Sequence, residues 1–220
     1  MGEATLAVQL KPTSEFYTIL IQRPGQYAFL NYELARVHAG EQKLEARSIG
    51  LEPSAHKNMR IHSIGATRAD TEVIAQAGGI LIQSPSLKAE IPLTSFKSLI
   101  ATLDKCRTLL LADWGFAGKE QELLGKFPEP AADIRKYIDS DVYPPASLVN
   151  GQVGTVSARA SVGLDGRASN CIIFKSSGHQ PLDRAACAAM TQRVRYKPAQ
   201  TKGGEPMVAP FEFTMRFLMR

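Results

Sequence analysis

The sequence predicts an α+β protein: a strand-rich amino-terminal domain that ends in one long helix, followed by a compact strand–strand–helix–strand unit. Three observations carry this. Apolar residues alternate at Val156, Ala158, Ala160 and Val162, and again at Phe211, Phe213, Met215, Phe217 and Met219, which is the period of a half-buried strand. Asp165-Gly166 follows the first of these runs, and tight hairpins favour such a pair because both residues tolerate positive φ. Phe96, Leu99, Leu103, Leu110 and Trp114 form a helical stripe after Thr94, a capping residue, and Gly115 ends it.

In the first part, strands are expected at Thr5 to Leu10, Phe16 to Gln22 and Tyr27 to Val37, with a turn at Pro24-Gly25 between the second and third. A weaker strand around Lys43 to Ile49 lies between Gly40 and Pro53, and another runs from Asn58 to Ile64. Asp70 to Ala75 reads as a short helical turn. Gly78-Gly79 leads into a strand at Ile80 to Ile82, and Leu87 to Ile91 forms the last one. The long helix occupies Ser95 to Asp113, and a second spans Lys119 to Lys126. Pro128-Glu129-Pro130-Ala131-Ala132 has the composition of a linker. The expected division is therefore an α+β domain at 1–127, a linker at 128–142 and a second domain at 143–220.

That second domain opens with Tyr143-Pro144-Pro145 and a helical turn through Leu148 that must end at Gly151. A return strand runs from about Arg167 to Lys175 and stops at Ser176-Ser177-Gly178. The helix that follows carries Pro181 near its first turn and Leu182, Ala185, Ala186, Ala189 and Met190 on one side. Arg193 and Arg195 sit at its negative end. Gly203-Gly204-Glu205-Pro206 then turns the chain into the last strand.

The ordered set Tyr143-Pro144, Gly151, Gly154, Asp165-Gly166, Ser176-Ser177-Gly178, Leu182-Asp183, Ala185-Ala186, Arg195-Tyr196, Pro198-Ala199 and an aromatic closing strand resembles the C-terminal domain of the TonB family. Members of that family are energy transducers of Gram-negative envelopes. The resemblance implies a ββαβ domain whose last strand pairs with a short segment of an outer-membrane transporter. Here that strand is Phe211, Glu212, Phe213, Thr214, Met215, Arg216 and Phe217, with Glu212, Thr214 and Arg216 turned away from the core. Pro210 lacks a donor and limits pairing to the residues after it. The alternative is a border covered by the amino-terminal domain or by a second copy of the chain.

In the topology so implied, Cys171 on the return strand and Cys187 on the helix share the strand–helix interface. A disulfide there would close a loop of about 15 residues, contribute about 3 kcal/mol and imply an oxidising compartment. Two unlinked buried thiols are the alternative. Cys106 is expected as a buried, inert thiol in the long helix. The run from Leu103 through Cys106 to Trp114-Gly115 also resembles a subset of TonB-domain proteins in which this helix cysteine pairs with one near the domain start. This chain carries no such cysteine, so Met1 is read as an internal start, downstream of a signal sequence and a first strand. Localisation is then periplasmic.

Hydrophobic and charged contents of 44% and 21% are those of an ordinary globular protein rather than a disordered one. The net charge of +5 is uneven: residues 143–220 hold ten Lys/Arg against four Asp/Glu, whereas 1–142 hold sixteen against seventeen. All the excess positive charge lies on the TonB-like part, which favours acidic partners. No run of about twenty apolar residues is long enough to span a bilayer. A working transducer of this family also needs a membrane helix and a proline-rich spacer, and it carries a glutamine-containing lead-in where this chain has Ser140-Asp141-Val142.

Enzymatic chemistry is not expected. The sequence has no phosphate-binding glycine loop, nucleophile elbow or H-E-x-x-H. Its closest histidines, His56 and His62, have no ligand at metal-binding spacing and read as surface residues. The strands lack the aromatic-and-basic consensus of sheet-based RNA readers. No cofactor, metal or nucleic acid is therefore expected, and the partner is an outer-membrane TonB-dependent transporter or another envelope protein. Self-association through the last strand, giving a homodimer, is the other reading.

Overall fold

The computed structural model describes residues 5–13, 16–24, 31–53, 59–85 and 87–219. Met1, Gly25, the start of the third expected strand at Tyr27, His56 and Asn58 lie outside the described residues. The elements are β1 (Thr5–Leu10), β2 (Phe16–Pro24), β3 (Asn31–Ala39), β4 (Gln42–Pro53), β5 (Met59–Thr67), α1 (Arg68–Ala77), β6 (Gly79–Gln83), β7 (Lys88–Pro92) and α2 (Phe96–Asp113). They continue with α3 (Lys119–Leu123), β8 (Leu124–Lys126), β9 (Glu129–Pro130), α4 (Pro145–Val149), β10 (Gly154–Val162), β11 (Ala168–Lys175), α5 (Gln180–Ala188), β12 (Tyr196–Lys197), β13 (Ala199–Thr201), β14 (Pro206–Met207) and β15 (Ala209–Phe217). Mixed helix and strand, with strands dominating the first part, is the α+β class that the periodicities indicate.

The chain divides into two compact units, Met1–Arg107 and Thr108–Arg220. In the first, an antiparallel sheet runs in the order β1-β2-β5-β4-β3-β6-β7. Tyr17, Ile19 and Ile21 of β2 and Ala35, Val37 and Ala39 of β3 are buried with Ile64, Ile80 and Ile82, and Ile74 of α1 and Phe96 of α2 pack on them. Leu34 lies 72% exposed on the outward face of β3. The expected helical turn at Asp70 is a full helix, because Thr67 and Asp70 form a capping box and Gly78 closes the other end at φ 70°.

Two expectations change here. Cys106 is exposed, because the side of α2 that turns inward carries Phe96, Ile100 and Leu103 and leaves Leu99 and Cys106 outside. His62 is fully buried rather than at the surface. It sits opposite Ile21 in the β2–β5 register, and Arg23 Nε donates to its Nε2 at 3.1 Å.

In the second unit, β10, β11 and β15 form a three-stranded antiparallel sheet in the order β11-β10-β15. Val156, Ala158, Ala160 and Val162 are buried, and Leu182, Ala186, Ala189 and Met190 of the covering helix pack over them with Phe213 and Phe217. The hairpin spans Gly163 to Arg167, and Gly166 takes φ 71° while Asp165 does not leave negative φ. A side chain at Gly166 would collide with the Tyr196 carbonyl. The segment expected as the end of a helix at Leu124 to Lys126 is instead β8, paired with β13. β9, within the linker-like stretch, pairs with β12. Leu111, Phe116 and Phe127 form a satellite core with Ala199 and Ala209.

Candidate protein-binding edge

Strand order makes β15 one border of the small sheet and β11 the other. The two borders differ. β15 follows β10 without interruption from Gly154↔Phe217 to Val162↔Ala209. Along β11 the register shifts twice: Asn170 and Cys171 together oppose Ala160, with Asn170 at φ 52°. Such bulges twist an edge away from further pairing. Among the described residues, no backbone hydrogen bond joins 213–217 to anything but β10.

Side chains on β15 alternate as the sequence implies. Phe213 and Phe217 are buried in the domain's own core, so only their backbone can meet a partner. Phe211 and Met215 are half-buried, and the Phe211 ring meets Tyr196 edge-on at 5.0 Å. Phe217 meets Tyr143 in the same way at 5.2 Å, and the Tyr143 hydroxyl donates to the Gln152 carbonyl. Thr214 and Arg216 are exposed and Glu212 is half-buried on the opposite face. Glu212 stands across from Arg159, and Arg216 from Thr155. Arg216 has no ion pair among the described residues.

Behind the sheet, Cys171 and Cys187 are joined by a disulfide, with Cα atoms 5.8 Å apart. It ties β11 to the last turn of α5. The start of α5 is held by Asp183, whose carboxylate accepts from the Ser176 hydroxyl at 2.6 Å, the Ser177 amide at 2.9 Å and the Ser177 hydroxyl at 2.8 Å. Partial burial opposes the charge, but these three donors outweigh it and hold the carboxyl below its usual range. Tyr196 is pushed up by burial, and its hydroxyl donates to the Met190 carbonyl.

Residues 140–219 match the model of the family described as Gram-negative bacterial TonB protein C-terminal. This stretch is a TonB C-terminal domain. Domains of this family occur in periplasmic proteins of Gram-negative bacteria, where they are non-enzymatic transducer and interaction domains. No curated protein and no solved structure matches the chain. Among the described residues, no cluster of His, Cys, Asp and Glu could hold a metal, and no helix is long and apolar enough to cross a membrane.

The sequence reading gave no binding role to several residues on both sides of the TonB sheet. On the outer face, Trp114 lies under the Arg159 guanidinium and beside Phe174, 6.3 Å away. Beside β15, Ile138, Val142 and Leu148 line a groove. Pro144-Pro145 starts a helix of only five residues, too short to bury all of Leu148 and Val149, and that brevity is the signal in the sequence.

Proposed function

We propose that this protein is a periplasmic binding module whose β15 border pairs with an extended segment of an outer-membrane transporter or another envelope protein. The observation that carries the reading is the unbroken nine-residue β10–β15 register in a strand that forms the border of its sheet. An edge that straight offers a ready template for an added strand. The bulges on β11 favour β15 as the border used. Main-chain bonds would supply affinity, and side chains on alternate faces would supply selection.

The test uses synthetic peptides from the periplasmic face of outer-membrane transporters. Hydrogen exchange at residues 211–217 should slow when such a peptide binds, and N-methylation at alternate peptide residues should abolish the effect. Protection confined to other elements overturns the reading.

One observation favours self-association as a second reading. Antiparallel pairing of β15 with its own copy about Thr214 would set Glu212 of each chain opposite Arg216 of the other, a favourable cross-strand charge pair in an isologous contact. Sedimentation would then give a dimer that Arg216→Glu weakens and Arg216→Glu with Glu212→Arg restores. A monomer at all concentrations removes this second reading.

A further inference from the structure

A groove of about 720 Å³ lies along the last third of β15, lined by Ile138, Val142, Leu148, Met215, Phe217 and Met219 among others. None of its lining residues belongs to β10, so the groove is on the side of β15 where an added strand would lie. Its floor is apolar. Val142 is buried in the domain core with Phe217, and Leu148 and Met219 remain 46% and 42% exposed at its rim. The acid on this rim, Asp139, is bonded to Arg193 at 2.9 Å. Arg216 is the charge left without an ion pair among the described residues.

Strand alternation turns this arrangement into a recognition rule. On any strand added to β15, the residue level with Arg216 faces outward with it, and the residues on either side face inward, level with Met215 and Phe217. The outward position meets an uncompensated guanidinium. The inward positions meet the apolar groove, where a polar side chain would lose its water without gaining a partner. We infer that the groove and Arg216 together select a partner segment with an acidic residue flanked by two aliphatic ones. This rests on the edge-pairing reading above and adds to it the chemistry of the segment. The lead-in residues 138–148 set the choice without adding a strand to the sheet.

Nine-residue peptides in a threonine-rich host, carrying Val-Glu-Val, Val-Lys-Val or Asn-Glu-Asn at the centre, would be titrated against the full chain, with exchange at 211–217 as the marker of site. Val-Glu-Val should bind most tightly. The central lysine should weaken binding about tenfold, as expected for reversing a rim charge. The asparagine flanks should weaken it by about ten- to a hundredfold, the value of burying aliphatic side chains. Arg216→Glu should invert the Glu-over-Lys preference, and Leu148→Asn should erase the advantage of the valine flanks. Both residues are exposed, so folding is preserved and is checked by the thermal transition. If all peptides protect β15 equally and neither substitution changes the ranking, the selection rule fails while edge pairing stands. If no peptide protects β15, edge pairing itself fails, and the rule with it.

Discussion

The guanidinium of Arg159 lies 4.9 Å from the centre of the Trp114 ring. Arg159 belongs to β10, in the family-matched stretch, whereas Trp114 precedes the matched residues 140–219. The outer face of the TonB sheet is therefore capped by a segment that the family domain does not include. Trp114→Ala should destabilise the second unit by about 2 kcal/mol, below the value for a fully buried aromatic because the ring is only half-buried. Arg159→Met, which keeps the apolar stem, should cost about 0.5–1 kcal/mol. Denaturant unfolding of each variant checks the order. Equal stabilities would show that the stack contributes nothing.

Reduction should act on the same unit. The disulfide joins residues 16 apart in sequence, and loop closure of that length contributes about 3 kcal/mol. Cys171→Ala with Cys187→Ala should lower the melting temperature by about 10 °C or more. Wild type in reductant should behave as the double variant does, and calorimetry with and without dithiothreitol measures both.

Asp183 gives the domain an acid-sensitive point. Its carboxyl titrates below the ordinary value when folded, so its stabilisation is complete above the unfolded pKa of about 3.9 and is lost as pH falls through the lower folded value. Asp183→Asn should cost about 1 kcal/mol near neutrality, where the charged acceptor is replaced by an amide. The variant and wild type should converge as pH falls below the folded value. A constant difference across the whole range would show that charge is not what the serines recognise.

In the first unit the sensitive point is alkaline. Burial, aided by the 2.6 Å hydrogen bond to Asp104, pushes the Tyr17 hydroxyl up to about 12. The folded value lies above the unfolded value of about 10, so the stabilisation is present below pH ~10 and disappears as pH rises through the folded value. Tyr17→Phe should cost about 1 kcal/mol at neutral pH, because Asp104 keeps Arg68 at 3.2 Å and Arg107 at 3.3 Å. Phenolate absorbance during an alkaline titration should show one tyrosine fewer ionising near pH 12 in the variant.

Much of the TonB domain was legible one residue at a time. Val156 to Val162 alternate because a pleated strand presents every second side chain to one layer, and all four apolar positions are buried. Gly166 marks the hairpin because its φ of 71° suits glycine. In the long helix the same kind of reading chose a stripe through Leu99 and Leu110, both 37% exposed, over one through Ile100. Two apolar faces competed there, and periodicity alone does not rank them.

By itself, then, the sequence determined where strands, turns and the covering helix fall, since pleat, helical period and turn stereochemistry act between near neighbours in the chain. Tertiary structure alone decided that β15 is the straight border and β11 the bulged one, that Ile138, Val142 and Leu148 meet Met215 in a groove, that His62 is interior and that Cys106 faces out. Each of these depends on groups tens of residues apart meeting in space. Local propensity carries no information about which distant surface arrives, and packing is what settles it.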